Sequence, residues 1–197
     1  MDKVEPLGGS TLTGRFVALE PLEARHHADL VAAAGAPDIF TYMPVENGAR
    51  FAENLPVLAR DNARGAMVTY VVRRLSDDTV VGSTSYLAIV QEHARVEIGW
   101  TWYVPDAQGG TVNPEAKYLL LANAFGKGWH RVEYKTDSKN AHSRAALKKL
   151  GAREEGTFRG HMWMPKGYWR DSVYFSIVAE DWPRVKVGLE ARLAAFA

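Results

Sequence analysis

The sequence predicts a mixed α/β domain, a central sheet with helices on both faces, and three observations carry that prediction. Residues 66–104 hold three strand-like runs in succession. Residues 96–151 then alternate strand, helix, strand and helix. The chain has 197 residues, 47% hydrophobic and 24% charged, which suits one domain with a sizeable core and no second one.

The elements follow in order. TLTGRFVALE (11–20) alternates loosely and stops at Pro21, a first strand. LEARHHADLVAAA (22–34) is rich in alanine and leucine and reads as a helix closed by Gly35. Residues 49–63 read as a second helix, with Pro56 inside the span as a breaking signal. AMVTYVVRR (66–74) and TVVGSTSYLAIV (79–90) are strands joined through Ser76-Asp77-Asp78, a hairpin connection. In VEIGWTWYV (96–104), alternation places Val96, Ile98, Trp100, Trp102 and Val104 on one face and Glu97, Gly99, Thr101 and Tyr103 on the other.

After Pro105 the period changes. Asn113 suits a helix N-cap, Pro114 the first helical position and Glu115 the first turn. The helix over 114–126 is apolar on most sides and is expected to be buried. RVEYKTD (131–137) is a strand, and NAHSRAALKKLG (140–151) a helix capped by Asn140 and stopped by Gly151. Strands follow near 153–163 and 169–179, and a last helix begins at Asp181-Trp182-Pro183.

Composition excludes several functions. The net charge is +1, with no long basic run, so neither nucleic acid nor an anionic membrane is an expected partner. Cysteine is absent, which removes disulfides, thiolate metal sites and an acyl-cysteine route. The six histidines show no metal-ligand spacing, and no metal is expected. No apolar run reaches the ~18 residues needed to span a bilayer, and the N-terminus has no signal-peptide stretch, so a cytoplasmic location is expected.

The informative chemistry lies between the strand ending at Val104 and the helix that follows. A helix N-terminus presents unpaired N–H groups and a partial positive charge. Gly109 and Gly110, just before it in QGGTVN (108–113), let a phosphate approach the backbone. An ordinary glycine turn before a helix fits the same residues. The loop lacks both G-x-x-x-x-G-K-[ST] and G-x-G-x-x-G, which argues against a P-loop nucleotidase and a dinucleotide fold.

The segments VEIGWTWYVPDAQGGTVNPEAKYLLLANAF, RVEYKTDSKNAHSRAALKKLGAREEGTFRGHM and YWRDSVYFSI…DWP, with LTGRFVALEPLEARHHADL at the start, resemble the GNAT acetyltransferases. The likeness is strongest to the branch of the ribosomal-protein N-terminal acetyltransferases and covers nearly the whole chain. It implies a mostly antiparallel sheet of about seven strands, acetyl-CoA or coenzyme A as cofactor, and transfer of acetyl to a primary amine on a protein N-terminus, an amino acid or a small molecule. A homodimer is among the assemblies it implies.

It also implies site residues. The coenzyme A pyrophosphate would lie over Gln108, Gly109, Gly110, Thr111, Val112 and Asn113. This loop departs from the family pattern, with Thr111 where the first motif glycine falls and Asn113 at the last place. Backbone groups of Trp102, Tyr103 and Val104 would pair with the pantetheine arm. Asn140 and Ser143 match an Asn-x-x-Ser motif at the thioester end. Arg144, one residue further on, is a candidate phosphate ligand, with a solvated helix charge as the alternative.

Glu97 is the first candidate for the general base that a protonated amine requires, with a plain charged residue on a polar strand face as the alternative. His161 is the second candidate, with a surface histidine in a loop as the favoured alternative. Ser143 is a candidate partner for the departing thiolate, with a serine that satisfies backbone in the first helical turn as the alternative. Phe40, Tyr42 and Met43 on one side, and His161, Met162 and Trp163 on the other, are candidate walls of an acceptor pocket, with core packing as the alternative. A CoA- or acyl-CoA-binding module without catalysis is the competing function.

Overall fold

The computed structural model describes residues 4–35 and 39–196. A single sheet of eight strands carries the fold: β1 (Leu12–Thr13), β2 (Val17–Pro21), β3 (Met67–Arg74), β4 (Thr79–Val90), β5 (Arg95–Tyr103), β6 (Arg131–Asp137), β7 (Arg153–Met164) and β8 (Tyr168–Val178). Their spatial order is β1-β2-β3-β4-β5-β6-β8-β7. Every neighbouring pair is antiparallel except β5 and β6. Five α-helices complete the domain: α1 (His27–Ala34), α2 (Leu55–Ala63), α3 (Val112–Gly126), α4 (Ala141–Leu150) and α5 (Trp182–Ala194). No helix among the described residues is long and apolar enough to cross a membrane.

The sheet separates two cores. On one face α3, α4 and α5 bury Leu120, Leu121, Leu147, Val185 and Leu189 against Tyr70, Val72, Val96, Ile98, Val132 and Phe175. On the other, α1 and α2 bury Leu30, Leu55 and Leu58 against Met67, Val71 and Trp102, with Phe40 and Phe51 between. Strand alternation makes the partition, as consecutive Val71 and Val72 show by entering opposite cores.

Several expectations are corrected. The first strand is broken at Gly14–Phe16, and the break has a buried cause. The Glu115 carboxylate on α3 accepts the backbone N–H groups of Arg15, Phe16 and Val17 at 2.8, 2.6 and 2.7 Å. Glu115 is thus an anchor for the N-terminal turn. The second helix is a 3₁₀ turn over Gly48–Asn54 followed by α2, and Pro56 stands in its first turn, where a missing N–H is tolerated. Helix α3 starts earlier than expected, with Thr111 at the cap position and Asn113 already helical.

The main correction concerns β5. Alternation does not persist along it. Val96 and Ile98 enter the α3 core, but Trp102 enters the opposite one and Tyr103 returns to the first. The register shows why. Ser85 pairs with Gly99 and Ser83 with Trp102, so β5 spends one more residue than β4 over this stretch. This is a β-bulge, and a one-residue slip flips the faces. Trp100 sits in it with φ of 49°, a left-handed conformation that bulky residues rarely adopt.

Candidate active site

β5 and β6 are hydrogen-bonded only over Arg95↔Arg131, Val96↔Val132 and Glu97↔Glu133. Beyond Glu97 the two strands separate, although β5 runs to Tyr103 and β6 to Asp137. The edge of β5 that faces β6 is therefore an unpaired strand edge inside the protein. A cleft of about 770 Å³ occupies the gap, lined along both strands, by the starts of α3 and α4, and by Tyr42, Met43, Met162 and Arg170.

At one end stands the glycine loop. The Gln108 amide donates to the Tyr103 carbonyl at 3.0 Å and ties the loop to the end of β5. Gly109 has φ of 77°, a conformation natural to glycine, and a Cβ at Gly109 or Gly110 would meet nothing within 4 Å. That open space adjoins the unpaired N–H groups of the first turn of α3. The start of α4 lines the cleft too. Asn140 caps it as expected, its side-chain oxygen accepting the Ser143 N–H at 2.9 Å. The Ser143 hydroxyl lines the cleft with no hydrogen bond of its own among the described residues. Gln108, Gly109, Gly110, Asn113, Asn140 and Ser143 are thus brought together with Trp102 and Tyr103.

Four of the proposed cofactor contacts fall elsewhere. Val104, Thr111 and Val112 do not line the cleft, and Val112 is buried in the α3 core. Arg144 turns toward Glu154, 3.6 Å away, and the Ser138 carbonyl.

Glu97 lies at the last paired row of β5 and β6, 4% exposed. Its carboxylate meets Lys135 Nζ at 2.9 Å. Burial pushes its pKa above the ordinary carboxylate value, and Lys135 draws it part of the way back. Gly99 makes room for it: a Cβ there would stand 2.9 Å from Glu97 Oε1. Alternation gives this face of the sheet a polar ladder of Glu97, Glu133, Lys135, Asp137, Arg170 and Ser172. Asp137 is buried and accepts from the Tyr168 hydroxyl at 2.5 Å and the Lys139 N–H at 2.9 Å.

The expected acceptor walls divide. Tyr42, Met43 and Met162 line the cleft. Lys166 fixes their mutual position, its Nζ donating to the carbonyls of Phe40 and Thr41 at 3.1 and 2.9 Å. Phe40 itself is core, stacked on Phe51 and tilted against Trp102. His161 bonds the Ser172 hydroxyl at 3.0 Å outside the cleft, and burial with the charges of Lys135 and Arg170 lowers its pKa. Trp163 stands on the surface beside Trp169, both more than half exposed. Neither His161 nor Trp163 is placed as a wall.

Among the cleft residues that sequence reasoning missed, three carry buried polar groups. Lys117 is buried in α3, donating to Thr101 Oγ1 at 2.9 Å beneath the Tyr134 ring. Its visible signal was a lone cation in an otherwise apolar helix. The Tyr134 hydroxyl is buried without a hydrogen-bond partner among the described residues. Arg170 is 5% exposed, and nothing local in the sequence marks it as buried.

A profile of the acetyltransferase (GNAT) domain matches residues 17–153. An uncharacterized N-acetyltransferase, YnaD of Bacillus subtilis (strain 168), is 30% identical over 133 residues, 66% of this chain and 67% of that protein. Among solved structures, a GCN5-related N-acetyltransferase from Brucella melitensis matches with a TM-score of 0.89 and 29% identity, covering 97% of this chain and 89% of that one. RimJ of Mycobacterium smegmatis, solved in complex with CoA-disulfide, shares the fold with a TM-score of 0.74 and 24% identity, over 96% and 94% of the two chains.

Proposed function

The chain belongs to the GNAT acetyltransferases, and from that premise we propose that it moves an acetyl group from acetyl-CoA to a primary amine. The observation that carries the proposal is the unpaired β5 edge, which runs from a buried carboxylate at Glu97 to an open glycine loop at a helix N-terminus. The donors present fit the cofactor. A pantetheine arm carries amides that can pair with a free strand edge at Trp102 and Tyr103. A diphosphate suits the open N–H groups of Gly109 and Gly110 and the first turn of α3.

Acetyl-CoA supplies the acyl group as an activated thioester. The protein has to make the amine neutral, hold it, and stabilise charge on the carbonyl oxygen. An alkyl amine has a pKa of about 10, so it arrives protonated at neutral pH. Glu97 is the base that takes the proton; its raised pKa brings it closer to that of a useful neutral-pH base. Backbone N–H groups at the Gly99–Trp100 bulge polarise the carbonyl, because the bulge frees donors that a regular ladder would use. A thiolate leaves readily, with a pKa of about 8.5, and the Ser143 hydroxyl serves it as a hydrogen-bond donor. We also propose a cytoplasmic location, as expected from the sequence.

The first experiment is thermal unfolding with acetyl-CoA, ATP or NAD in excess. A ligand at about 100 times its Kd stabilises the native state by about 2.7 kcal/mol. A shift with acetyl-CoA alone is expected, followed by thiol release with an amine panel. No shift with acetyl-CoA would remove the reading; a shift without thiol release from any amine would leave a binding module.

A further inference from the structure

Arg170 is a buried charge that the catalytic reading leaves unused. It lies on β8 opposite Met162 and lines the cleft at the end that Glu97, Tyr42 and Met43 share. Its Nε is buried with no hydrogen-bond partner, and no carboxylate pairs with it among the described residues. The two acids whose charge reaches it are already engaged, Glu97 by Lys135 and Asp137 by the Tyr168 hydroxyl and the Lys139 N–H. A guanidinium stays ionised and presents five donors in a planar fork. Leaving its buried Nε unpaired is costly, and the natural complement of the fork is a carboxylate, bound in bidentate fashion. The same cleft also carries apolar lining from Ile39, Met43, Leu87 and Met162.

We infer that Arg170 receives a carboxylate of the acceptor, and that the acceptor is an amino acid with an apolar side chain and a free carboxyl group. The inference rests on the acetyl-transfer reading above. It sets the amine at Glu97, the carboxylate at Arg170 and the side chain against the methionine-lined wall. The amine nitrogen bonds the acetyl carbon and the carbon–sulfur bond breaks. The ammonium gives one proton to Glu97 to become the attacking amine, and the second proton that nitrogen loses as the amide forms ends on the departing thiolate, so the products are an N-acetyl amino acid and the free thiol of CoA. A peptide N-terminus has an amide where the free amino acid has its carboxylate, and would leave the guanidinium unpaired.

The test compares thiol release from acetyl-CoA with leucine, methionine and phenylalanine, each against its carboxamide and a tripeptide beginning with it. The carboxamide amine lacks the adjacent anion and is more often neutral, which biases the comparison against the inference. Wild type is expected to favour the free acids by roughly ten- to a hundredfold in kcat/KM, mainly through KM, the range of a charged hydrogen-bonded pair. In Arg170→Gln the acid-to-amide ratio should fall toward one, and in Arg170→Lys it should lie between. The wild-type ratio needs no variant, so a poorly folding Arg170→Gln does not spoil the test. Carboxamides, peptides or polyamines accepted as well as the acids would overturn the inference while acetyl transfer stands. An acid preference that survives Arg170→Gln would also overturn it. No thermal shift with acetyl-CoA and no thiol release with any amine would instead bring down the acetyl-transfer reading beneath it.

Discussion

Lys117→Met should stabilise the protein near neutral pH and lose that advantage as the pH rises. Lys117 is 7% exposed, with Thr101 Oγ1 and the Tyr134 ring as neighbours and no carboxylate paired with it among the described residues. Burial draws its pKa from 10.5 down to about 7. At about 1.4 kcal/mol per pKa unit, the buried ammonium lowers stability by roughly 4–5 kcal/mol at pH 7 and below. Between the folded and unfolded pKa values the unfolded chain keeps a proton that the folded chain has released. Stability therefore rises with pH across that window and is flat below it. From pH 7 to pH 9 the gain is about 2 kcal/mol, and methionine, which carries no proton, has no such gain. The assay is urea unfolding by tryptophan fluorescence, wild type against Lys117→Met, at both pH values. Other titrating groups cancel in the difference, as does the lost Thr101 hydrogen bond. The stability gap should shrink by about 2 kcal/mol in wild type's favour at pH 9. A gap that is the same at both pH values would refute the buried, unpaired lysine.

Three further outcomes follow from the same geometry. Glu97→Gln should lower kcat/KM by about 10²–10⁴ while the acetyl-CoA thermal shift persists, and the wild-type fall in rate toward acid pH should disappear from its profile. Gly99→Ala places a methyl group 2.9 Å from Glu97 Oε1 and 3.2 Å from Leu87. The carboxylate must move, so activity should drop at least about tenfold with a stability change under about 1 kcal/mol; unchanged kinetics would count against Glu97 as the base. Glu115→Ala strips three backbone N–H groups of their acceptor and should cost at least about 3 kcal/mol by urea unfolding, with the N-terminal turn the first segment to exchange its amide hydrogens. A loss below about 1 kcal/mol would show that the carboxylate does not hold the turn.

Elements governed by local rules were legible in the sequence. Asn140 caps α4 through the Ser143 N–H, and Gly151 closes it with φ of 93°. The hairpin strands and the α4 boundaries come from turn chemistry and periodicity, which act within a few residues. What failed depends on distant partners. The face assignment of Trp100 and Trp102 assumed an unbroken pleat, but the extra residue in β5 is set by pairing with Ser83 and Ser85 on β4. Glu115 does stand in the first turn of α3 as its position in the sequence suggests, but its hydrogen-bond partners, about a hundred residues away, were not legible. Arg144 follows Ser143 directly in the sequence, and its proximity to Glu154, ten residues on, was not legible there. Lys117 and Arg170 carry charge into buried positions, the reverse of what residue type predicts.

The misread stretch of β5 is also where the cleft forms, and the two facts share a cause. A strand paired on both sides has no N–H or C=O left for a ligand. Here the ladder to β6 stops at Glu97↔Glu133, and the bulge at Gly99–Trp100 disrupts the ladder to β4 immediately afterwards. The backbone gives up regular pairing on both sides within three residues. Trp100 holds a left-handed φ there, a conformation of the kind kept only where the surroundings enforce it. Trp102, turned into the opposite core by the slip, packs against Phe40 and Phe51 at 5.3 and 5.1 Å and supplies that enforcement. Without the bulge, Trp102 would face the α3 core, and the aromatic cluster behind the acceptor loop would lose its centre. The deviation that defeats a period-two reading therefore does two jobs: it interrupts the β4 ladder beside Glu97, and it anchors the wall that carries Tyr42 and Met43.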